Sequence, residues 1–480
     1  FKLATKDRFG NCTNGINRYR SSTTVLGNDD VKLEAWPRDV YLNVWVVNAI
    51  GGNVVGYAYL PPSVPGLGAN IDGIVVVHDF LGSIGTSNFN NSRTLTHEIG
   101  HYLNLRHPWG PTNNPGVACG DDGVFDTPET RGWTTCNLNG AICNPGVIEN
   151  VQNYMDYSFC STMYTKGQKM VMQAALNSDV ADRNKIWQPY ALSKSGADVS
   201  TNANICDPVA DFFTDDRTTC VGASVSINDF SWRGPVTNWE WTFTNATPST
   251  STDQNPQVIF NSPGWQDVTL TVTNNLGKQH TITKERFIYV NDAVPNVFAE
   301  DFESNQSFDE WLIDNIDGNG AFWQRTNTAS YSGGYSLMLN SFGGDRYDRD
   351  VITTPAYGVS IDFSTLSFKY SLGTRAVQAT QMADRLNIYY STNCGQSWSV
   401  LWTEAGADLV NTGFYDDAFV PAAEGDWSEV NIQLPTAAIN AGEVQFRFEL
   451  VHDEFSNNFY LDDINVDRQY TNTENVLATA

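Results

Sequence analysis

A chain of 480 residues is too long for one hydrophobic core, so its length predicts about three domains. With 28 basic and 54 acidic residues, the formal net charge of −26 argues against nucleic acid and anionic membranes as partners and leaves spare carboxylates for Ca²⁺. No apolar run is long enough to cross a bilayer, so we predict no membrane span. None of the eight cysteines forms a C-x-x-C pair, which favours disulfides in an oxidising compartment.

Short strands are predicted in the first eighty residues. Three segments have strand-like patterns, FKLAT at 1–5, YLNVWVV at 41–47 and VVGYAYLP at 54–61. A short apolar run, IVVV at 74–77, indicates a buried strand.

The segment HEIGHYLNLRH has the spacing of a metal site. His97 and His101 are four residues apart, so on a helix they share one face, where two imidazoles can bind one Zn²⁺. Glu98 lies between them and is suited to act on a water as general base. Asn104 tolerates the left-handed conformation that ends a helix, and a reversal there would bring His107 back as a third ligand. Three ligands leave a fourth position open, as in catalytic zinc sites; the competing interpretation is an ordinary amphipathic helix.

An acidic, turn-rich loop follows this motif. Its oxygen-bearing side chains are dense enough to hold Ca²⁺, and they are Asp121, Asp122, Asp126, Thr127 and Glu129. A solvated acidic loop is the alternative. A helix is then predicted within residues 161–176.

Residues 1 to about 190 resemble the pappalysin (cytophagalysin-like) branch of the metzincin metalloproteases. The resemblance is carried by TLTHEIGHYLNLRH, CGDDGVFDTPET, NYMDYS and KGQKMVMQAAL. It implies an α+β catalytic domain over residues 1–190. This chain lacks the strand and backing helix that precede the matching segment in the family, so we expect those elements to have been cleaved or trimmed away.

The resemblance also implies roles for single residues. The implied zinc ligands are His97, His101 and His107, with Glu98 as general base. The implied floor of the site is the Met-turn methionine, Met155, and Tyr157 is the implied contact of substrate or transition state. The implied disulfides join Cys119 with Cys143 and Cys136 with Cys160, and calcium is implied in the loop at Asp122, Asp126 and Thr127.

Cleavage preference is expected to depend on Phe159. Family members that cut before Arg or Lys carry an Asp just ahead of the last cysteine, and Phe159 occupies that position here. A phenyl ring cannot pair with a guanidinium. We therefore expect an apolar or uncharged residue after the cut.

Two all-β sandwich domains are predicted after the catalytic domain, giving a multidomain chain. Residues 191–206 read as a polar linker, and 207–292 resemble a PKD-type immunoglobulin-like domain through NWEWTF and SPGWQDVTLTVTNNLG. Cys206 and Cys220 flank its first strand and are predicted to pair.

Residues 298–468 resemble the MAM-like and cleaved-adhesin jelly rolls through FAEDFESN, SYSGGYSLMLNS and NFYLDDINV. The resemblance implies that the first and last strands meet. Candidate calcium ligands at their ends are Asp301, Glu303 and Asp463, with a plain acidic edge as the alternative. Residues 469–480 read as a linker or tail.

The sequence thus predicts a bacterial zinc endopeptidase, secreted or at the cell surface, that acts on proteins or peptides. Its β domains are expected to bind a surface glycan or protein, and proteins of this layout often continue into a C-terminal sorting domain read by secretion machinery. The alternative is a surface adhesin whose protease domain is inactive in this trimmed form.

Overall fold

The computed structural model describes residues 1–25, 28–66, 68–89, 91–198, 206–292, 298–344 and 347–468. The chain divides into two compact units, residues 1–16 with 23–206 and residues 17–22 with 207–480. In the described part of the chain no helix is long and apolar enough to cross a membrane.

A small sheet and three helices make up the first unit. Its strands are β1 Val44–Val47, β2 Gly56–Ala58 and β3 Ile74–Val77. Its helices are α1 Thr94–Tyr102, α2 Lys166–Leu176 and α3 Pro189–Ser195. The sheet has the order β1-β3-β2, with β3 parallel to β1 and antiparallel to β2.

The central strand β3 is buried on both faces, which explains its unbroken run of apolar residues. Val75 packs on one face against Val47, and Ile74 packs on the other against Tyr102 at the end of α1. The sheet therefore positions helix α1.

Two sequence predictions at the ends of this unit are wrong. Residues 1–5 form no strand; instead the amide of Thr5 donates to the carbonyl of Ser195. The predicted linker begins inside helix α3, where Ala191 is buried. Its first residues are therefore helical and do not form a linker. The rest of the predicted linker, 199–205, lies outside the described residues.

Residues 207–292 of the second unit form a β-sandwich. Its strands are β4 Phe212–Phe213, β5 Thr218–Cys220, β6 Ser224–Ser226, β7 Asn228–Asp229, β8 Val236–Phe243, β9 Ala246–Thr247, β10 Thr250–Ser251, β11 Gln257–Phe260, β12 Gly264–Asn274 and β13 Gln279–Asn291. They form a five-stranded sheet β10-β8-β12-β13-β5, a three-stranded sheet β6-β11-β9 and the pair β4-β7. Strand β12 alternates buried and half-buried residues, as expected when one face covers a core.

A larger sandwich follows in the same unit. Its strands are β14 Ala299–Glu300, β15 Leu312–Asn315, β16 Trp323–Thr326, β17 Ser336–Leu339, β18 Asp348–Thr353, β19 Tyr357–Gly358, β20 Phe363–Thr374, β21 Arg385–Ser391, β22 Ser399–Ala405, β23 Gly413–Phe414, β24 Ser428–Gln433, β25 Glu443–His452 and β26 Ser456–Arg468. Its short helices are α4 Asn305–Phe308 and α5 Thr436–Ala441.

The two sheets of this sandwich have the orders β16-β17-β26-β20-β23 and β15-β18-β25-β21-β22. Strand β14 pairs antiparallel with β26, so the first and last strands meet. The fold class predicted from the sequence, an α+β domain followed by β-sandwiches, is confirmed. The predicted tail, 469–480, lies outside the described residues.

The disulfides correct one prediction. Cys119 bonds to Cys143 and Cys136 to Cys160, as the resemblance implies. Cys206 and Cys220 do not pair with each other: Cys206 bonds to Cys12 within the first unit, and Cys220 bonds to Cys394 within the second. The two true partners lie 194 and 174 residues away in sequence, so closeness along the chain did not indicate the pairing.

Candidate active site and metal centre

Helix α1 places two histidines on one face and then reverses. His97 and His101 have ring centroids 4.7 Å apart. The helix ends at Tyr102, and Asn104 has φ of +74°, which confirms the predicted left-handed turn. That turn brings His107 back, so that its Nε2 lies 3.1 Å from Nε2 of His101. The candidate ligand atoms of the three histidines all lie within 4.8 Å of one another.

Backbone carbonyls fix the tautomer of each imidazole. Nδ1 of His97 lies 2.7 Å from the carbonyl of Tyr154, and Nδ1 of His101 lies 2.7 Å from that of Leu105. Nδ1 of His107 lies 3.0 Å from the carbonyl of Thr112. A carbonyl only accepts, so each Nδ1 carries the proton and each neutral ring keeps a lone pair on Nε2. Three such lone pairs at one point fit a divalent transition metal.

The electrostatics of the site keep these rings neutral. Burial, and then the neighbouring imidazoles, hold the pKa of His97 well below its usual value. Burial lowers the pKa of His101, and it lowers that of His107 to about 3. The rings are therefore available as ligands throughout the neutral range.

Glu98 is buried beside the histidines without a hydrogen-bond partner for Oε2. Burial raises the pKa of its carboxyl to about 8. Gly56 on β2 makes room for it, since a Cβ at that position would lie 3.1 Å from Oε1. A divalent cation held by the histidines would favour the carboxylate form of this group, whose unused oxygen is then suited to accepting a proton.

Met155 is fully buried beneath α1. Gly100 sits inside the helix, where glycine costs about 1 kcal/mol relative to alanine. A Cβ on Gly100 would collide with the sulfur of Met155, which explains the glycine. The residue predicted from the sequence as the floor of the site thus contacts the helix that carries two of the histidines.

Aromatic rings close the site on the side of His107. Trp109 stacks on His107 with centroids 4.6 Å apart and planes 1° apart, and it also donates from Nε1 to the carbonyl of Thr112. Tyr157 lies 4.9 Å from the His107 ring and 5.1 Å from Trp109. Burial, and then Glu98, raise the pKa of Tyr157 to about 12, so its hydroxyl remains a donor.

The sequence did not reveal the role of Trp109. Two glycines make space for it, because a Cβ on Gly120 would strike its backbone and one on Gly132 would strike its ring. The only sequence signal for this role was the position of Trp109, two residues after His107. The accepting carbonyls carry no side-chain signature at all.

The segment after Met155 contains Phe159, on which cleavage preference is expected to depend, and one nearby acid, Asp156. Phe159 is 57% exposed. Asp156 is buried, and its Oδ1 accepts from the amides of Trp133 and Ser158 at 3.1 Å each. Its Oδ2 has no partner, and burial raises the pKa of the carboxyl to about 7.

The predicted calcium residues differ in their surroundings. In the loop, Asp126 Oδ1 and Thr127 Oγ1 are buried and have no partner, while Asp122 Oδ1 accepts from the amide of Val124 at 3.0 Å.

In the jelly roll, each of the predicted calcium residues accepts hydrogen bonds from other groups of the protein. Glu303 Oε1 accepts from the amides of Gly334 and Tyr335, and Asp463 Oδ1 accepts from Ser332. Asp301 Oδ1 accepts from the amide of Glu303. The described part of the chain contains groups of three possible ligands, but Asp301, Glu303 and Asp463 are in none of them. Calcium there stays a prediction.

Comparisons with known proteins agree with this site. The family described as Pregnancy-associated plasma protein-A matches residues 26–177, the PKD domain matches 206–290 and Reelin subrepeat B matches 326–467. An extracellular metalloprotease of Uncinocarpus reesii is 36% identical over 166 residues, which are 32% of this chain and 58% of that protein. One of Arthroderma benhamiae is 30% identical over 168 residues, 33% of this chain and 56% of that protein.

One similar solved structure is Tannerella forsythia mature mirolysin in complex with a cleaved peptide, with 34% sequence identity and a TM-score of 0.37. The match covers 41% of this chain and 76% of the mirolysin chain. This chain spans little more than half the length of the curated relatives. Three convergent imidazoles beside a buried glutamate are compatible with a metallopeptidase site. Residues 26–177, which are about a third of the chain, match the model of the pappalysin peptidase family.

Proposed function

We propose that this chain is a zinc-dependent endopeptidase in which His97, His101 and His107 hold the metal. The observation that carries the proposal is the convergence of three unprotonated Nε2 atoms beside the unpartnered Oε2 of Glu98. When bound, zinc polarises a substrate carbonyl and lowers the pKa of a water. The open fourth position is what separates such a site from a closed structural one.

Glu98 and Tyr157 supply the remaining chemistry. Oε2 of Glu98 takes the proton of the attacking water and passes it to the leaving amine. The Tyr157 hydroxyl, kept protonated by its raised pKa, donates a hydrogen bond to the oxygen on which negative charge develops. Trp109 and the Thr112 carbonyl hold the His107 ring in place.

An extended polypeptide is the substrate that the sheet edge beside Glu98 favours. Strand β2 is an edge strand of its sheet, and Gly56 on it lies against Glu98. A free edge offers backbone donors and acceptors to a second extended chain. A peptide paired there would pass beside the proposed base.

Casein hydrolysis tests the assignment. We expect hydrolysis by the full chain to be lost in a zinc chelator and restored by zinc, with one tightly bound zinc at this site. His97→Ala should lose both the metal and the activity, while His78→Ala, which changes an exposed histidine on a nearby turn, should keep both. A folded chain that holds zinc but cleaves nothing would support the adhesin alternative instead.

We also propose calcium in the loop at Asp122, Asp126 and Thr127. Two unpartnered oxygens in one loop support this, as does burial, which raises the pKa of Asp122 to about 6 in the absence of a cation. Carboxylate and hydroxyl oxygens are the ligands that Ca²⁺ prefers.

Calcium chelation, with zinc retained, is expected to lower the melting temperature, because an ion that binds only the folded state stabilises it by about 2.7 kcal/mol at a hundred times its Kd. Scanning calorimetry with and without EGTA measures this. Asp126→Asn should remove the part of the response that comes from this loop, whereas Asp179→Asn, at an exposed position of the same unit, should leave the response unchanged. An unchanged melt in EGTA would contradict calcium both here and at Asp301, Glu303 and Asp463.

Cleavage is proposed to favour an apolar or uncharged residue after the cut. Phe159 cannot pair with a guanidinium, and Asp156 uses one oxygen to hold its own loop while burial favours its protonated form. Burying an unpaired charge against a phenyl ring is unfavourable.

Peptide-library cleavage followed by mass spectrometry measures this preference. Phe159→Asp should create a preference for Arg or Lys of at least several-fold, since an ion pair is then formed. Phe9→Asp, at an exposed phenylalanine elsewhere in the unit, should leave the profile unchanged. Enrichment of Arg or Lys by the unmodified chain would show that Asp156 or another acid lines the pocket.

We propose that the protein is secreted or held at the cell surface. Four disulfides among the described residues and relatives named extracellular metalloproteases support this. A glycan- or protein-binding role for the sandwiches, a bacterial source and recognition by secretion machinery stay predictions.

A further inference from the structure

A second group of possible metal ligands lies inside the jelly roll, far along the chain from the first. Asp348 and Asp350 are on β18, and His452 is on β25, directly opposite Asp348 in the antiparallel register. Their exposed fractions are 3%, 1% and 0%. One face of β18 carries residues 348, 350 and 352, and Ile352 belongs to the apolar core. The side chains of Asp348, Asp350 and His452 therefore lie on the inner face of the sandwich, next to that core.

The three side chains converge on one point. Nε2 of His452 lies 3.3 Å from Oδ2 of Asp348 and 3.3 Å from Oδ2 of Asp350. One ligand atom from each residue lies within 4.8 Å of the other two. Oδ1 of Asp350 is buried beside this point and accepts no hydrogen bond, so part of the carboxylate is unused by the protein.

The charges of this group do not balance. Two carboxyl groups, Asp348 and Asp350, face the one imidazole, and a third, Asp317, forms a hydrogen bond with Asp348. Among the described residues no Lys or Arg forms an ion pair with any of them. A singly charged imidazolium offsets only one carboxylate, and an unbalanced buried charge is costly.

We propose that Asp348, Asp350 and His452 bind a divalent transition-metal ion, which joins strands β18 and β25 inside the jelly roll. An imidazole nitrogen selects zinc and its neighbours over calcium and magnesium, while the two carboxylates supply charge. The backbone at Gly344 passes close to the ring, and a Cβ there would lie 2.9 Å from Nδ1 of His452, so only glycine leaves the imidazole its present place. The ion binds only where the two strands are paired and thus stabilises the folded sandwich.

Metal counting on the full chain tests this site. The His97→Ala/His101→Ala variant removes the peptidase metal and leaves the jelly-roll residues intact. After metal stripping, incubation with zinc and gel filtration, this variant should retain one zinc ion by plasma mass spectrometry and melt at a higher temperature than its zinc-free form. The unmodified chain treated in the same way should retain two.

Matched variants exclude adventitious surface binding. Adding Asp350→Asn should remove the retained ion and the thermal shift, and Asp362→Asn, at an exposed carboxylate of the same sandwich, should remove neither. Peptidase activity of Asp350→Asn alone should be unchanged. No retained zinc in the folded parent variant, or retention of calcium but not zinc, would overturn the proposal and leave His452 as an imidazolium between two carboxylates. If Asp350→Asn does not fold, the ion count of the parent variant decides.

Discussion

Replacing Glu98 by alanine is expected to lower kcat/KM for a protein substrate by roughly 10²–10⁴-fold while the zinc is retained. The loss follows from removing the only group that we place at the attacking water as a proton acceptor. Retention follows because the ligands are the three Nε2 atoms, whose positions depend on backbone carbonyls and not on Glu98. Casein hydrolysis and metal content, measured on the same preparation, check both parts.

Two further variants make the Glu98 result specific. Glu98→Gln keeps the shape but cannot accept the proton, so it should be as inactive as alanine. Glu285→Ala removes an exposed carboxylate of the second unit and should behave as the unmodified chain. Loss of zinc from Glu98→Ala would mean that the carboxylate is a ligand, and full activity would mean that another group is the base.

Replacing Asp72 by alanine is expected to destabilise the first unit by roughly 3–5 kcal/mol, since it leaves a buried guanidinium unpaired. Asp72 receives two hydrogen bonds from Arg183, at 2.6 and 2.7 Å, and both side chains are fully buried. Arg183 also donates from Nε to the carbonyl of Tyr102 and lies 3.6 Å from the centre of its ring. The pair therefore anchors the C-terminal end of α1, and heat inactivation of the peptidase measures its loss.

The double variant Asp72→Ala/Arg183→Met should recover part of this stability, because no charge is then left unpaired. Lys185→Met is the matched control: Lys185 forms an ion pair with Asp182 in the same unit but is 58% exposed, so solvent screens the pair. Equal effects of Asp72→Ala and Lys185→Met would show that burial of the Asp72–Arg183 pair is unimportant.

Local chemistry determined much of this protein from the sequence alone. His97, Glu98 and His101 lie within about one helical turn, and the chain reverses at Asn104 soon after. Each of these features depends only on neighbouring residues, so the sequence predicted them without the rest of the fold. Strand patterns likewise predicted the β-sandwich at 207–292, while the jelly roll at 298–468 was predicted from a resemblance.

Tertiary structure decided everything that depends on residues far apart. The pairing of Cys206 with Cys12 spans 194 residues, and the meeting of His452 with Asp350 spans 102, so neither leaves a local pattern. The carbonyls of Tyr154 and Thr112 fix the tautomers of two candidate ligands, yet every residue has a carbonyl. Sequence alone therefore predicted the candidate ligands of the metal, and the folded chain decided which groups orient them and which charges lie buried without a partner.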